Sequence, residues 1–215
     1  MNASPFPTTT CCSVHEQAAS ELPPTAPPVI YGIDRDDQIV GASRAWDRFA
    51  VANEAPGLVF GSLTRKRLWD HISDPTTVAI YRNLVERVRD GAKVTLPLRC
   101  DSPTLRRWLT LTASPMPLGG VKFTSRTIRL QARTYLAVMD PSIPKSGELI
   151  KACGWCRKLH VPAQGWVEAE EAVDRLGLFE HATLPRLMHS ICPVCADAML
   201  NLQSDDLQAQ LAALS

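Results

Sequence analysis

No stretch of this chain approaches the roughly 18 consecutive apolar residues of a membrane-spanning helix, and its first residues lack a basic segment followed by an apolar one. Neither sign of charge dominates: 23 Lys and Arg stand against 22 Asp and Glu, a formal net charge of +1. A protein that holds nucleic acid by neutralising phosphates is therefore not expected. Also missing are a phosphate-binding glycine loop, a nucleophile elbow and an HExxH helix. No kinase, cyclase or hydrolase core is visible, and the modules described below use most of the 215 residues. These absences predict a cytoplasmic protein that is not an enzyme and has neither a membrane nor a nucleic acid as partner.

What the chain does have is paired cysteine. Four of its seven cysteines fall in two CxxC pairs, Cys153-Gly154-Trp155-Cys156 and Cys192-Pro193-Val194-Cys195. In a CxxC turn two sulfurs can point to one side of a tight bend, so two such turns brought face to face supply four thiolates to a tetrahedral metal, with zinc the default occupant. The competing chemistry is redox. CGWC has the spacing of a thioredoxin-like dithiol, and Arg157 and Lys158 would lower the pKa of a neighbouring thiol. The βαβ setting of a thioredoxin site is missing, however, and dithiol exchange needs one pair where a closed metal site needs two. Cys153, Cys156, Cys192 and Cys195 are thus the expected structural zinc ligands. Paired cysteines in the cytoplasm bind metal more often than they form disulfides. A module this small builds little core of its own, so metal would stabilise it. His189, three residues before Cys192, has no expected ligand role because four thiolates already close the site; the same holds for His160 and His181.

Along the chain, residues 1–27 are rich in Pro, Thr, Ser and Ala and read as a disordered tail, with Cys11-Cys12 a solvated pair lacking CxxC geometry. Val29 to Ile33, a turn at Asp34 to Asp37 and Gln38 to Ala42 predict a hairpin, after which Ser43 can cap a helix carrying Trp46, Phe49 and Ala50. Asp74 as N-cap, Pro75 at the first helical position and Gly91 beyond the end delimit a second helix, with Val78, Tyr81, Leu84, Val85 and Val88 on one apolar stripe. Three antiparallel strands follow: Val94 to Cys100, Arg107 to Pro115 and Val121 to Leu130. The alternation of the last predicts a change of face or a bulge midway. Residues 132–150 carry the Pro, Ser and Gly of a linker. Beyond it, 151–197 form the four-cysteine module, in which Trp166-Val167 begin a helical pattern and Pro185 breaks the return toward Cys192. In the helical tail 198–215, Leu200, Leu207, Leu211 and Leu214 are consistent with an ordinary helix packed on its own chain or with a homodimer contact.

The order over 28–131, two strands, helices, then three strands, resembles the PAS sensory fold. The resemblance is carried by Ile33-Asp34 with Ile39-Val40, by Ala45 to Ala50 (AWDRFA), by Leu68 to Thr77 (LWDHISDPTT) and by Arg99-Cys100-Asp101-Ser102-Pro103. It covers nearly half the chain and implies an α+β fold with a five-stranded antiparallel sheet. The segment Cys153 to Lys158, Gly165-Trp166 with Glu170-Glu171, and His189 to Cys195 resembles the cysteine-pair tail that follows some bacterial PAS and signalling domains. Here Ser190 stands where that tail usually has Gly, and 179–188 look partly inserted. A small zinc-ribbon-like module is the implied form.

Trp46, Phe49, Trp69, Tyr81 and Trp108 are candidates to line a small-ligand pocket between helices and sheet, or else simply core. His71 as a haem ligand is not expected, and Cys100 lacks the asparagine-cysteine-arginine motif of flavin photosensors, so neither haem nor flavin is predicted. The reading that results is a bacterial PAS-like sensory or scaffold protein with a structural zinc module, acting on a protein partner in signalling. The alternative is a thiol redox switch or oxidoreductase using the two pairs.

Overall fold

A computed structural model describes residues 21–22, 26–52, 55–72, 74–180 and 183–200. Cys11, Cys12 and most of the expected tail lie outside these residues. The strand β1 (Glu21–Leu22) is followed by the hairpin of β2 (Val29–Ile33) and β3 (Ile39–Ala42). The turn between them closes because the Asp34 carboxylate accepts the backbone N–H of Asp36 and of Gln38, both at 2.9 Å. Ser43 then caps α1 (Arg44–Ala52) by accepting the N–H of Trp46 at 3.3 Å. A short helix, α2 (Phe60–Leu63), and a 3-10 turn at Leu68–His71 lead to α3 (Pro75–Arg89).

The limits of α3 follow its end residues. Asp74 accepts the N–H of Thr77 at 2.8 Å, and Gly91 takes the left-handed backbone, φ 102°, that ends a helix where a side chain would be strained. Ile80, Leu84, Val85 and Val88 are buried along one stripe. That stripe packs on the sheet continued by β4 (Val94–Arg99), β5 (Leu105–Pro115) and β6 (Val121–Ala132).

All pairings in this sheet are antiparallel, in the order β3-β2-β6-β5-β4, with β1 added beside the end of β6. The architecture is α+β, a five-stranded antiparallel path with helices over one face. The register of β5 on β6 shifts between Trp108 and Leu109, which pair with Arg129 and Thr127. Ile128 is therefore the extra residue of a bulge, the midway irregularity that the alternation of β6 foretells.

The rest departs from the composition in three places. Residues 132–150 read as a linker, yet they contain a 3-10 turn at Ala137–Met139 and the first six residues of the strand β7 (Lys145–Cys153). Pro144 precedes the strand, a position where its missing N–H costs no ladder bond. Leu136 and Val138 are buried with Ala152, Leu159, Val161 and Val173, so the stretch belongs to the core of a second sheet. Next, Trp166 and Val167 do not begin a helix; they lie in β9 (Gly165–Val167), opposite His160 and Leu159 of β8 (Leu159–Val161). The left-handed Gly165, φ 84°, closes that hairpin, and the helix, α4 (Ala169–Arg175), starts after it.

Pro185 is also inside a strand, β10 (Leu184–Ser190), at a register shift between Leu184 and Arg186 that leaves it unpaired. The second sheet runs β10-β7-β8-β9, with β10 parallel to β7. α5 (Pro193–Leu200) follows; Leu207, Leu211 and Leu214 lie outside the described residues.

Candidate metal centre

The two CxxC pairs meet. β7 ends in Cys153, and the chain turns through Gly154, Trp155 and Cys156 before re-entering at β8. Arg157 N–H donates to the Cys153 carbonyl at 3.0 Å and Cys153 N–H to the Lys158 carbonyl at 2.8 Å, which fixes the turn; Arg157 itself is left-handed at φ 64°. Parallel pairing of β10 with β7 sets Ser190 beside Cys153, and the next residues, Ile191 and Cys192, enter α5. Pro193 opens that helix, where its lack of an N–H is harmless, and Ala196 N–H bonds to the Cys192 carbonyl at 3.0 Å. The first pair therefore sits on a knuckle and the second at a helix start.

The four Sγ atoms lie within 4.8 Å of one another, and Cys156 Sγ is 3.8 Å from Cys192 Sγ. Four sulfurs bonded to a tetrahedral zinc at about 2.3 Å would sit about 3.8 Å apart, so the donor set fits such an ion. Backbone amides already point at the sulfurs. Cys153 Sγ accepts from the N–H of Cys156 at 3.5 Å and of Cys192 at 3.4 Å, and Cys192 Sγ accepts from Cys195 N–H at 3.4 Å.

Crowding makes the thiols of Cys153, Cys156 and Cys195 unequal. Hydrogen bonds from the Cys156 and Cys195 thiols, with those amides, hold Cys153 as the thiolate. The bond to that charge pushes Cys156 up to about 12 and, with Cys156 added, raises Cys195 further. Without a cation the cluster resists holding several negative charges; a divalent metal removes that resistance.

Cys153 and Cys192 are 0% and 2% exposed, and they belong to the same continuous core as Ile33, Leu84, Leu96 and Phe123 of the first sheet. The knuckle is bonded to that sheet as well. Trp155 Nε1 donates to the Pro97 carbonyl at 2.8 Å, and Arg99 N–H donates to the Trp155 carbonyl at 2.7 Å, so the knuckle covers the outer edge of β4.

A charged cluster makes the second attachment, joining the start of α4 to the sheet. Arg99 contacts Asp101 and meets Glu168 at 2.8 Å; Arg133 meets Asp101 at 3.1 Å and Glu170 at 2.7 Å; Arg106 meets Glu170 at 2.7 Å. Burial disfavours the Arg99 charge, but its bonds to Asp101 and then Glu168 outweigh that and hold the guanidinium protonated. Burial likewise opposes the Glu170 charge, and its own backbone N–H with Arg106 and Arg133 brings its pKa below the usual carboxylate value.

Of the three histidines weighed as ligands, the two among the described residues do not join the four sulfurs. His189 Nε2 is 3.4 Å from Arg157 Nη1, and burial, then that guanidinium, lowers its pKa. His160 stacks edge-on against Trp166, and His181 lies outside the described residues. Among the described residues the group that could hold a metal ion consists of the four cysteines alone.

A cavity of about 280 Å³ lies between the helices, the sheet and the knuckle. Of the five aromatic candidates, Trp46 and Tyr81 line it, joined by Tyr31, His71 and Trp155; Phe49, Trp69 and Trp108 do not. Phe49 is 39% exposed on α1. Trp69 donates its indole N–H to Asp37 at 2.7 Å and faces the Arg82 guanidinium. Trp108 is buried between the guanidinium groups of Arg129 and Arg99, 4.5 and 5.6 Å from its ring. The cavity role of Trp155 was missed in the sequence, although a large apolar side chain at the tip of a CxxC turn needs a surface to bury against.

No family model and no curated protein matches the chain.

Proposed function

We propose that the chain is a PAS-like sensory or scaffold protein whose C-terminal module is held by structural zinc, and that it works by binding a protein partner in bacterial signalling. The observation that carries this reading is the four-sulfur cluster on a knuckle bonded to the outer strand of the sheet. Connectivity supports the PAS part: a hairpin, helices, then three strands, with the first strand beside the last. Cys153, Cys156, Cys192 and Cys195 would be the ligands. Bound there, zinc supplies folding free energy, on the order of 10 kcal/mol in small modules, and no open coordination position for chemistry. The module's residues do the rest: they fix the angle of α4, β10 and α5 to the sheet and so shape the surface a partner would meet.

Elemental mass spectrometry of the reduced protein, with a thiol count before and after chelation, tests this reading. One zinc per chain and four thiols unmasked by its removal are expected, with zinc lost in each single Cys→Ser variant. Stoichiometric zinc retained in all four variants would sink the assignment. A metal-free protein whose thiols pair reversibly under mild oxidant would replace it with the redox-switch reading.

A further inference from the structure

A second cavity, of about 310 Å³, opens on the core of the second sheet and shares no lining residue with the first. Leu136, Val138, Val173 and Leu178 are its buried lining, and Thr183 carries the one polar side chain among the described residues around it. The 3-10 turn that supplies Val138 is fixed in place, because Lys145 Nζ donates to the carbonyls of Ala137 at 2.9 Å and Val138 at 3.1 Å. Another lining residue, Phe179, is 74% exposed. A large ring left in water beside a preformed apolar cavity marks a core that lacks its cover.

A cover lies within reach on the same chain. β1 pairs antiparallel with the end of β6, Glu21 beside Gln131 and Leu22 beside Leu130. Traced back from Glu21, the chain therefore heads the way β6 does, toward Leu136 at the cavity, five residues beyond Gln131. Those five residues span at most about 17 Å. Of the twenty residues before Glu21, Phe6 is the sole aromatic, and its neighbours Pro5 and Pro7 have a fixed φ that lowers the entropy lost on seating it. Phe6 precedes Glu21 by fifteen residues. A chain of that length has a root-mean-square span of about 20 Å, close to the distance to be crossed, and a tethered group is most concentrated at its site when the two match. A cavity of about 150 Å³ is enough to bind benzene, so this one takes a phenyl ring. The other end of the chain starts from the wrong place: residues 201–215 leave α5, which contacts α3 and buries Met199 in the first core.

We propose that the N-terminal segment docks on the second core of its own chain, with the Phe6 ring in this cavity and Phe179 packed over it. Seated there, the segment joins the two sheets a third time, in addition to the Trp155 knuckle and the charged cluster. The cysteines take no part in this contact.

The test is NMR of the full chain, with and without Phe6→Ala. Nuclear Overhauser contacts from the Phe6 ring to the methyl groups of Leu136, Val138 and Val173 are expected. Phe6→Ala should abolish them and shift those methyl resonances as the ring current is lost. The methyls of Leu84 and Val88 in the first core should stay where they are, which shows that the variant keeps its fold. An equal mixture of carbon-13-labelled and unlabelled chains should give no contact between the two kinds of chain. Cavity methyls that do not respond to Phe6→Ala overturn the docking. So do contacts from Phe6 to Ile39 or Leu63, which line the first cavity. Contacts between labelled and unlabelled chains overturn it in favour of a segment supplied by a second copy.

Discussion

The indole N–H of Trp155 donates to the carbonyl of Pro97 at 2.8 Å, which ties the residue between two thiols to the outer strand of a sheet formed more than fifty residues earlier. The Arg99 amide returns a bond to the Trp155 carbonyl. The cysteine cluster is thus bonded into the edge of the sheet, and changes at either end should be felt at the other.

Trp155→Phe keeps the ring and loses the bond to Pro97. Its expected cost is about 1 kcal/mol, with zinc retained. Trp155→Ala also removes the packing on Tyr81 and should cost about 3 to 5 kcal/mol. Urea denaturation with zinc analysis of each variant separates the two terms; equal costs would show that the ring contributes nothing.

Chelation should act beyond the cysteines. Hydrogen exchange is expected to accelerate across 151–200 and at the Arg99 amide, whose acceptor is the Trp155 carbonyl. The amides paired between β5 and β6 should keep their protection. If the Arg99 amide is unchanged by metal removal, the knuckle does not depend on the metal.

Arg99, with a side chain 7% exposed, is bonded to Asp101 in the connection between β4 and β5 and to Glu168 beside α4. Arg99→Ala should destabilise the protein by about 3 kcal/mol, because it leaves part of a buried carboxylate cluster uncompensated. The loss should be nearly the same at low and high salt, since a buried pair is screened little. A cost that disappears in 1 M NaCl would mark the contact as a surface pair.

The tyrosines set an alkaline limit. Tyr31 and Tyr81 are raised by burial; Tyr135 is raised chiefly by its bond to Asp140. In the unfolded chain these phenols titrate near 10.0, so above that pH the folded state retains protons the unfolded state has lost. Stability is therefore whole below pH 10 and falls as pH rises toward 12. Absorbance of phenolate near 295 nm should appear together with unfolding; ionisation of all three in a still-folded protein would contradict the burial of Tyr31 and Tyr81.

Local chemistry was legible wherever a residue acts on its immediate neighbours. The limits of α3 follow from Asp74, Pro75 and Gly91, the first turn from Asp34, and the bulge in β6 from its broken alternation, because caps, turns and alternation are encoded within a few positions. The spacing of the two CxxC pairs made a four-sulfur cluster legible in the same way.

What remained hidden depends on contacts between distant segments. Nothing local distinguishes the proline-bounded stretch before Cys153 from a linker; it becomes β7 because β10 and β8 supply partners for its backbone. Trp166 and Val167 could begin a helix by pattern, but their pairing with β8 overrides propensity.

The sequence by itself determined the four candidate ligands, the paired spacing that lets each turn present two sulfurs, and the first sheet's strands and main helix. Only the tertiary structure decided that the two pairs converge, that Trp155 rather than Trp69 or Trp108 closes the cavity, and that Arg99, Arg106 and Arg133 meet Glu168 and Glu170. The physical reason is that spacing constrains neighbours along the chain, whereas burial of an indole or pairing of a charge is settled by which surfaces the whole fold brings together.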